Sequence, residues 1–258
     1  MTQRHDIIKE ILANEKRVEV TALSKRLDVS EVTIRKDLTD LELHGFLVRR
    51  YGGAILAENP QQVVEVSRKH LLAATEKQYI ASCVANLIED GENILLDAGS
   101  TTLFIAKELI NRDVRIVTNS LAIANEFLSA KGDARVEMIG GSLRFSSGAL
   151  VGSRAKEALE SLRVDKVILG CSGFDETLGF SSENIIEAET KKAMLACGGQ
   201  KIIVADNSKF TRPAFAPFAL SSEIDMVVTD KKIDKEVSNI LRSNDVTIKI
   251  GDSKCQQI

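Results

Sequence analysis

A chain of 258 residues, 44% hydrophobic and 28% charged, has the composition of a soluble globular protein and is long enough for a small domain beside a larger one. No apolar run approaches the ~18 residues a membrane-spanning helix needs, and the amphipathic start MTQRHDIIKEIL is no signal peptide, so the chain is expected in the cytoplasm. The net charge of −3 argues against bulk attraction to nucleic acid, and the cysteines at 83, 171, 197 and 255 show neither CxxC pairing nor metal spacing, which predicts reduced thiols, three of them buried, with no metal and no cofactor.

The chain opens on a helix over 4–14, with Ile7, Ile8, Ile11 and Leu12 at helical spacing, followed by an alternating strand at 17–20. A short helix over 21–27 carries Leu23 and Leu27 inward, and Asp28-Val29 turns tightly into Ser30. Ser30 is a good N-cap for the next helix, which Gly45 is placed to end. At about 100° per residue, Ile34, Leu38 and Leu41 share one face of it, while Val32, Thr33, Arg35, Lys36 and Thr39 lie mostly on the other. Such spacing is that of a helix-turn-helix, whose second helix offers its first turn to the major groove. Residues 46–50 and 54–56 alternate about Tyr51-Gly52-Gly53, giving a basic wing with Arg49 and Arg50 beside the turn. The DNA-facing set is therefore Ser30, Val32, Thr33, Arg35, Lys36, Arg49 and Arg50. Pattern alone leaves a protein-binding helix-turn-helix open. Residues 1–56 hold ten Lys or Arg against nine Asp or Glu, so the positive charge must be placed locally, and dimerisation would double it.

Residues 1–57 form this winged domain, 58–74 a polar linker around Pro60, and 75–258 a second domain. A helix is expected over 71–89. Beyond it ENILLD, VRIVTN, ARVEMIG, DKVILGCSG, KIIVAD, DMVVTD and VTIKIG read as strands, alternating with helices TTLFIAKELI, SLAIANEFLSA, SRAKEALESL, NIIEAETKKAML and DKEVSNILRS. This alternation predicts an α/β domain built on a mostly parallel sheet, with ligands at the carboxyl ends of its strands. Five of those ends are polar and glycine-rich: Asp97 to Thr102, Thr118-Asn119-Ser120, Gly140-Gly141-Ser142, Gly170 to Asp175, and Ala205 to Phe210. A Gly-Ser-Thr helix start favours an anion through its free amides and dipole. The candidate effector residues are Lys77, Asp97, Gly99, Ser100, Thr101, Thr102, Asn119, Ser120, Gly140, Gly141, Asp175, Glu183 and Lys209. Lys191 is a further cation, which a solvated helix face would equally explain.

The stretch VTALSKRLDVSEVTIRKDLTDLELHGFLVRRYGGA resembles the N-terminal signature of the deoxyribose-operon-repressor (DeoR) family of bacterial transcription regulators. It departs from that signature at Lys36, where the family usually has Arg, and at Tyr51, where His is common. Lys is a single-point donor, so Lys36 suits a phosphate better than the bidentate edge of a guanine. DAGSTT, TNS, GG, GFD, EAETKKAM and ADNSKF also resemble, in order, the family's C-terminal sensor domain, which is similar in fold to ribose-5-phosphate isomerase. The resemblance implies a repressor of a sugar or sugar-alcohol operon, working as a dimer or tetramer on double-stranded operator DNA and responding to a phosphorylated sugar or polyol.

An isomerase-like enzyme with an appended DNA-binding head is the alternative. Matching the lysines puts Thr190 where the catalytic carboxylate would stand, and no GGG loop precedes it; a shift of one restores Glu189. We read the domain as a sensor without catalysis. A redox regulator built on Cys171 is a third reading, disfavoured by that residue's place at the end of an apolar strand.

Overall fold

The computed structural model describes residues 3–43, 46–56, 73–130 and 134–251. The chain divides into two compact units, Met1–Leu72 and Ala73–Ile258. Of the expected linker, residues 58–72 lie outside the described residues, as do Gly45 and Cys255. No described helix is long and apolar enough to cross a membrane.

The first unit runs α1 (Gln3–Glu15), β1 (Arg17–Glu19), α2 (Val20–Leu27), α3 (Glu31–Leu43), β2 (Leu47–Arg50) and β3 (Gly53–Leu56). Ile8, Ile11, Leu12, Leu23, Ile34, Leu38, Leu41 and Leu47 meet in its core. Ile7, expected among them, is exposed; the inward arc of α1 takes His5 instead. Asp28 closes α2 in the left-handed region (φ 51°), and Ser24 Oγ donates to Val29 O at 2.6 Å across the turn. Ser30 Oγ accepts from the Thr33 amide at 3.2 Å, the expected cap of α3. The wing is the antiparallel pair β2–β3, turned on Tyr51 and Gly52, and β1 adds to its other edge, as the alternating sequence implied. At Gly53 a Cβ would fall 2.0 Å from Val18 O, so β1 closes on the wing only because that residue is glycine.

The second unit carries α4 (Ala74–Ala85), β4 (Asn93–Leu96), α5 (Ser100–Glu108), β5 (Arg115–Thr118), α6 (Leu121–Ala130) and β6 (Arg135–Met138). A hairpin β7 (Ser142–Arg144) and β8 (Ala149–Val151) leads to α7 (Ser153–Glu160), β9 (Lys166–Gly170), β10 (Gly173–Asp175), β11 (Gly179–Ser182) and α8 (Ile185–Leu195). The chain continues through β12 (Gln200–Val204), β13 (Ala216–Ala219), β14 (Met226–Thr229), α9 (Lys235–Ser243) and β15 (Thr247–Ile250). All seven strands read from the sequence form one parallel sheet in the order β15-β14-β12-β9-β4-β5-β6. From β4 the chain winds outward to β6, then returns to β9 and winds the other way, so the topological switch lies between β4 and β9. One face of the sheet packs on α4, α5 and α6, the other on α7, α8 and α9.

Three features depart from the sequence reading. The helix expected over 71–89 ends at Ala85, with Asn86 as its C-cap. The β7–β8 hairpin and an antiparallel sheet β10-β11-β13 are additions. Their strands have three or four residues, too short for a period to register, and Pro217 sits in β13, tolerated because that strand is an edge.

Asp37 fixes α3 to α1: it is buried and accepts from the Arg4 guanidinium and from His5 Nε2 at 3.1 Å. Arg4 and His5 hold its carboxyl below the ordinary range against the opposing effect of burial. Its folded pKa being depressed, this contribution to stability is present at neutral pH and is lost as pH falls through the folded value. Replacement by Ala leaves a buried donor unsatisfied, and we expect amide hydrogen exchange across 3–43 to accelerate about ten-fold or more with 73–251 unaffected.

Candidate functional site

The outer face of α3 is free. Val32 is 73% exposed, Arg35 and Lys36 are exposed, and Thr33, half-buried, pairs its hydroxyl with Ser30 at 2.9 Å. Arg35 is held by Glu31 at 2.5 Å, an exposed i,i+4 pair that a phosphate or base edge can displace at small cost. The wing's two arginines separate. Strand alternation sends Arg50 outward and Arg49 toward α3, where its Nη1 donates to Thr39 Oγ1 at 2.9 Å and its amide donates to Glu42 at 2.7 Å. Sequence reading placed both on DNA; Arg49 instead braces the wing against the recognition helix, and Arg50 is the exposed one.

In the second unit the candidate residues split along the sheet. The five loops follow the adjacent strands β12, β9, β4, β5 and β6, about 19 Å from first to last at the usual spacing. No single small ligand reaches both ends. At the β5–β6 end the polar groups are already engaged. Asn119 is buried, its Oδ1 accepting from the Ala98 amide at 2.8 Å and its Nδ2 donating to Leu150 O at 3.2 Å, so it holds the 97–100 loop to β8. Ser120 is buried and caps α6. Gly141 is required for packing, since a Cβ there would lie 2.7 Å from Val151 O. Gly140 has nothing within 4 Å of its Cβ position, but it follows the edge strand. Asp175, expected in a rim loop, stands at the end of β10, where its carboxylate accepts from the Thr177 and Leu178 amides and braces the β10–β11 turn. Glu183 is exposed after β11.

The β4, β9 and β12 ends gather the charges. Asp97 (3% exposed) and Lys191 (7%) form a buried ion pair, and Lys191 Nζ also donates to Gly170 O at 2.9 Å. Lys191 is thus a cross-brace between α8, β4 and β9, neither a solvated side chain nor a free cation. Burial raises the Asp97 pKa against the pull of Lys191. Thr102, wholly buried, donates to Asp97 O at 2.6 Å and closes the same turn. The N-terminus of α5 has no side-chain cap: Gly99 is extended, and Ser100 and Thr101 follow it with first-turn amides directed to the rim. Lys77, on α4, is 4% exposed, and burial lowers its pKa to about 8, with Asp206 opposing and Lys209 assisting. Lys209 is half-buried and makes no ion pair among the described residues. Burial likewise pushes the Cys171 thiol up to about 12, so it is protonated at neutral pH and a poor nucleophile.

The geometry also resolves the register question in α8. Residues two apart on a helix point about 200° away from each other, so with Lys191 in the crevice Glu189 must face outward. It does, exposed and 3.4 Å from Lys156. Thr190 is buried and donates to Ile186 O at 2.8 Å. Glu187 shares the face of Lys191 but is held by Arg144 at 3.0 Å. Neither position read from the sequence supplies a carboxylate base in the crevice.

Two family models match the chain: a DeoR-like helix-turn-helix domain over residues 4–59 and a DeoR C-terminal sensor domain over 72–231. A putative aga operon transcriptional repressor of Escherichia coli O157:H7 is 34% identical over 250 residues, 96% of this chain and 93% of that protein. The glycerol-3-phosphate regulon repressor of E. coli K12 is 32% identical over 250 residues, 96% and 98% of the two chains. The lactose phosphotransferase system repressor of Staphylococcus aureus N315 is 31% identical over 204 residues, 78% and 80%. Among solved structures, ribose 5-phosphate isomerase A of Methanocaldococcus jannaschii aligns over 54% of this chain and 55% of its own at 18% identity with a TM-score of 0.40, a likeness too slight to bear on chemistry.

Removing one partner of the Asp97–Lys191 pair leaves the other charged and buried. Asp97→Asn or Lys191→Met is expected to cost about 3–5 kcal/mol in urea denaturation, and the double replacement Asp97→Leu with Lys191→Met is expected to recover most of it.

Proposed function

Because this chain belongs to the DeoR family of transcription regulators, we propose that it represses an operon for uptake and catabolism of a sugar or sugar alcohol and is released from its operator by a phosphorylated effector. Val32, Thr33, Arg35 and Lys36 enter the major groove, Arg35 reading base edges and Lys36 holding phosphate, while Arg50 takes the backbone beside the wing. Ser30 and Arg49 preserve the shape of that surface, Ser30 by capping α3 and Arg49 by bracing the wing. The protein acts in the cytoplasm, and two copies engage one operator.

One observation supports the effector half above the others. The rim at β4, β9 and β12 collects the uncapped N-terminus of α5 with the ammonium groups of Lys77 and Lys209, donors suited to a phosphate ester. Ser100, Thr101 and the amides after Gly99 cradle the phosphate, Lys77 and Lys209 neutralise it, and Asp97, Thr102 and Asn119 hold the loop in place. The effector binds tighter to an arrangement of the oligomer in which the two DNA-binding heads no longer match the operator spacing, the condition for any such release. The repressor names of the relatives and the outward Glu189 both weigh against an isomerase.

A panel of sugar and polyol phosphates with their unphosphorylated parents tests this by thermal shift: one phosphorylated compound should stabilise the protein selectively, and Lys209→Ala should abolish the shift. With operator DNA, Lys36→Ala should weaken binding evenly across sequences and reduce the salt slope by about 0.9, whereas Arg35→Ala should also relax sequence preference.

Lys77 makes the effector step pH-dependent. With its pKa near 8 it is partly neutral at that pH, and an adjacent phosphate restores its charge. Calorimetry at pH 8 in buffers of different ionisation enthalpy should show uptake of about half a proton on effector binding, and Lys77→Met should remove it.

A further inference from the structure

The parallel sheet ends at β6, and among the described residues no strand pairs with its outer edge. Most edge strands carry features that prevent pairing; this one carries a pattern that complements itself. The Arg135 and Ile139 amides donate to Val114 O at 3.1 Å and Thr118 O at 3.0 Å, so odd-numbered residues bond inward to β5. By the strand's period of two, the N–H and C=O of Val136 and Met138 point outward.

We propose that β6 pairs antiparallel with β6 of a second copy of this chain, about a two-fold axis through Val136. That register makes Val136 a hydrogen-bonded pair with its own copy and sets residue 134 opposite Met138. Arg135 then stands opposite Glu137 of the other copy in a non-hydrogen-bonded pair, where side chains approach most closely. An axis through residue 135 or 137 would use groups already bonded to β5, and one through Met138 would leave Arg135 facing Gly141.

Charges within one chain favour the same arrangement. Arg135 is in register with Arg115 on β5, two exposed cations side by side, and makes no ion pair among the described residues. Glu137 lies 3.9 Å from Arg115. A second copy brings its Glu137 to Arg135, so that each of the two neighbouring cations has a carboxylate beside it, Arg115 that of its own chain and Arg135 that of the other copy. On the other side of the strand stand exposed apolar groups, Met138 at 41% and Leu128 of α6 at 79%. Strand pairing alone buries too little for a stable dimer, and α6 supplies apolar area beside it.

The test needs neither DNA nor effector, so it stands apart from the reading of the rim. Sedimentation velocity at tens of micromolar should show wild-type protein as a dimer or a multiple of one. Arg135→Glu sets two carboxylates face to face across the interface and should weaken association about ten-fold or more. Within one chain the same change places Glu beside Arg115, so folding should be retained, which far-ultraviolet circular dichroism checks. Arg135→Glu with Glu137→Arg restores opposite charges and should recover association. As an independent readout, Arg135→Cys with Glu137→Cys should form intermolecular disulfides under mild oxidation, with the wild-type chain as control. Monomeric wild-type protein, or a wild-type assembly that Arg135→Glu leaves unchanged and the cysteine pair fails to cross-link, overturns the proposal.

Discussion

Lys191 organises the second unit. Its ammonium is carried from α8 into the gap between β4 and β9, where it meets Asp97 and Gly170 O and lies 5.4 Å above the Phe218 ring. Splitting a parallel sheet at a switch point opens a crevice that neither flanking loop closes alone. A charge buried there must be matched, and the matching fixes where α8, β4 and β9 stand relative to one another. Asp97 in turn sets the loop whose carbonyls hold Thr102 and whose next amide is held by Asn119, so the start of α5 is positioned from behind. Several residues that look like ligands in the sequence thereby support the loop that starts α5.

The first unit uses the same device on a smaller scale. Asp37 belongs to the recognition helix yet points away from the surface offered to DNA, and its carboxylate takes both Arg4 and His5 of α1. With eleven of the described residues in the buried core cluster, apolar packing leaves helices free to slide, and a directional pairing removes that freedom. Arg49 completes the arrangement from the other side by bonding Thr39, and α3 is held at its back and its flank.

The large architecture was legible because a strand buried on both faces reads as an unbroken apolar run, as in NILL and MVVT, and because the two edge strands, RVEM and TIKI, continue the same alternation with helices; all seven segments became the parallel sheet. The β10–β11 and β7–β8 strands carry Gly, Ser and Asp with no run to detect, so Asp175 was assigned to a loop that is in fact a turn between strands. The exposed face of α3 was legible from helical spacing. Arg49 was misplaced only by setting aside the alternation that separates neighbours on a strand. What sequence could not give is which rim residues face inward. Polarity is the same whether a side chain meets a ligand or a neighbour, and Asn119, Thr102 and Asp97 prove to be bonded to the protein itself.

Both proposed sites would bind phosphate in a chain whose net charge is −3, and their cations are placed in opposite ways. On α3 and the wing, Arg35, Lys36 and Arg50 are exposed, so the attraction of a phosphate to them is screened over about 8–10 Å of saline, and each that met one would contribute by releasing counterions. Screening suits a surface that must let go, because small changes in spacing or charge shift occupancy strongly. On the rim, Lys77 is buried and Lys209 half-buried, so the medium screens them less, and burial of Lys77 disfavours its charged form against the pull of Asp206 and Glu76. Burial is the largest cause of the lowered Lys77 pKa, about 8, and Lys209 adds to it. An anion matched to these lysines would bind tighter to whichever arrangement of the oligomer holds them most buried. A difference of that kind between two arrangements is what coupling of effector to operator requires.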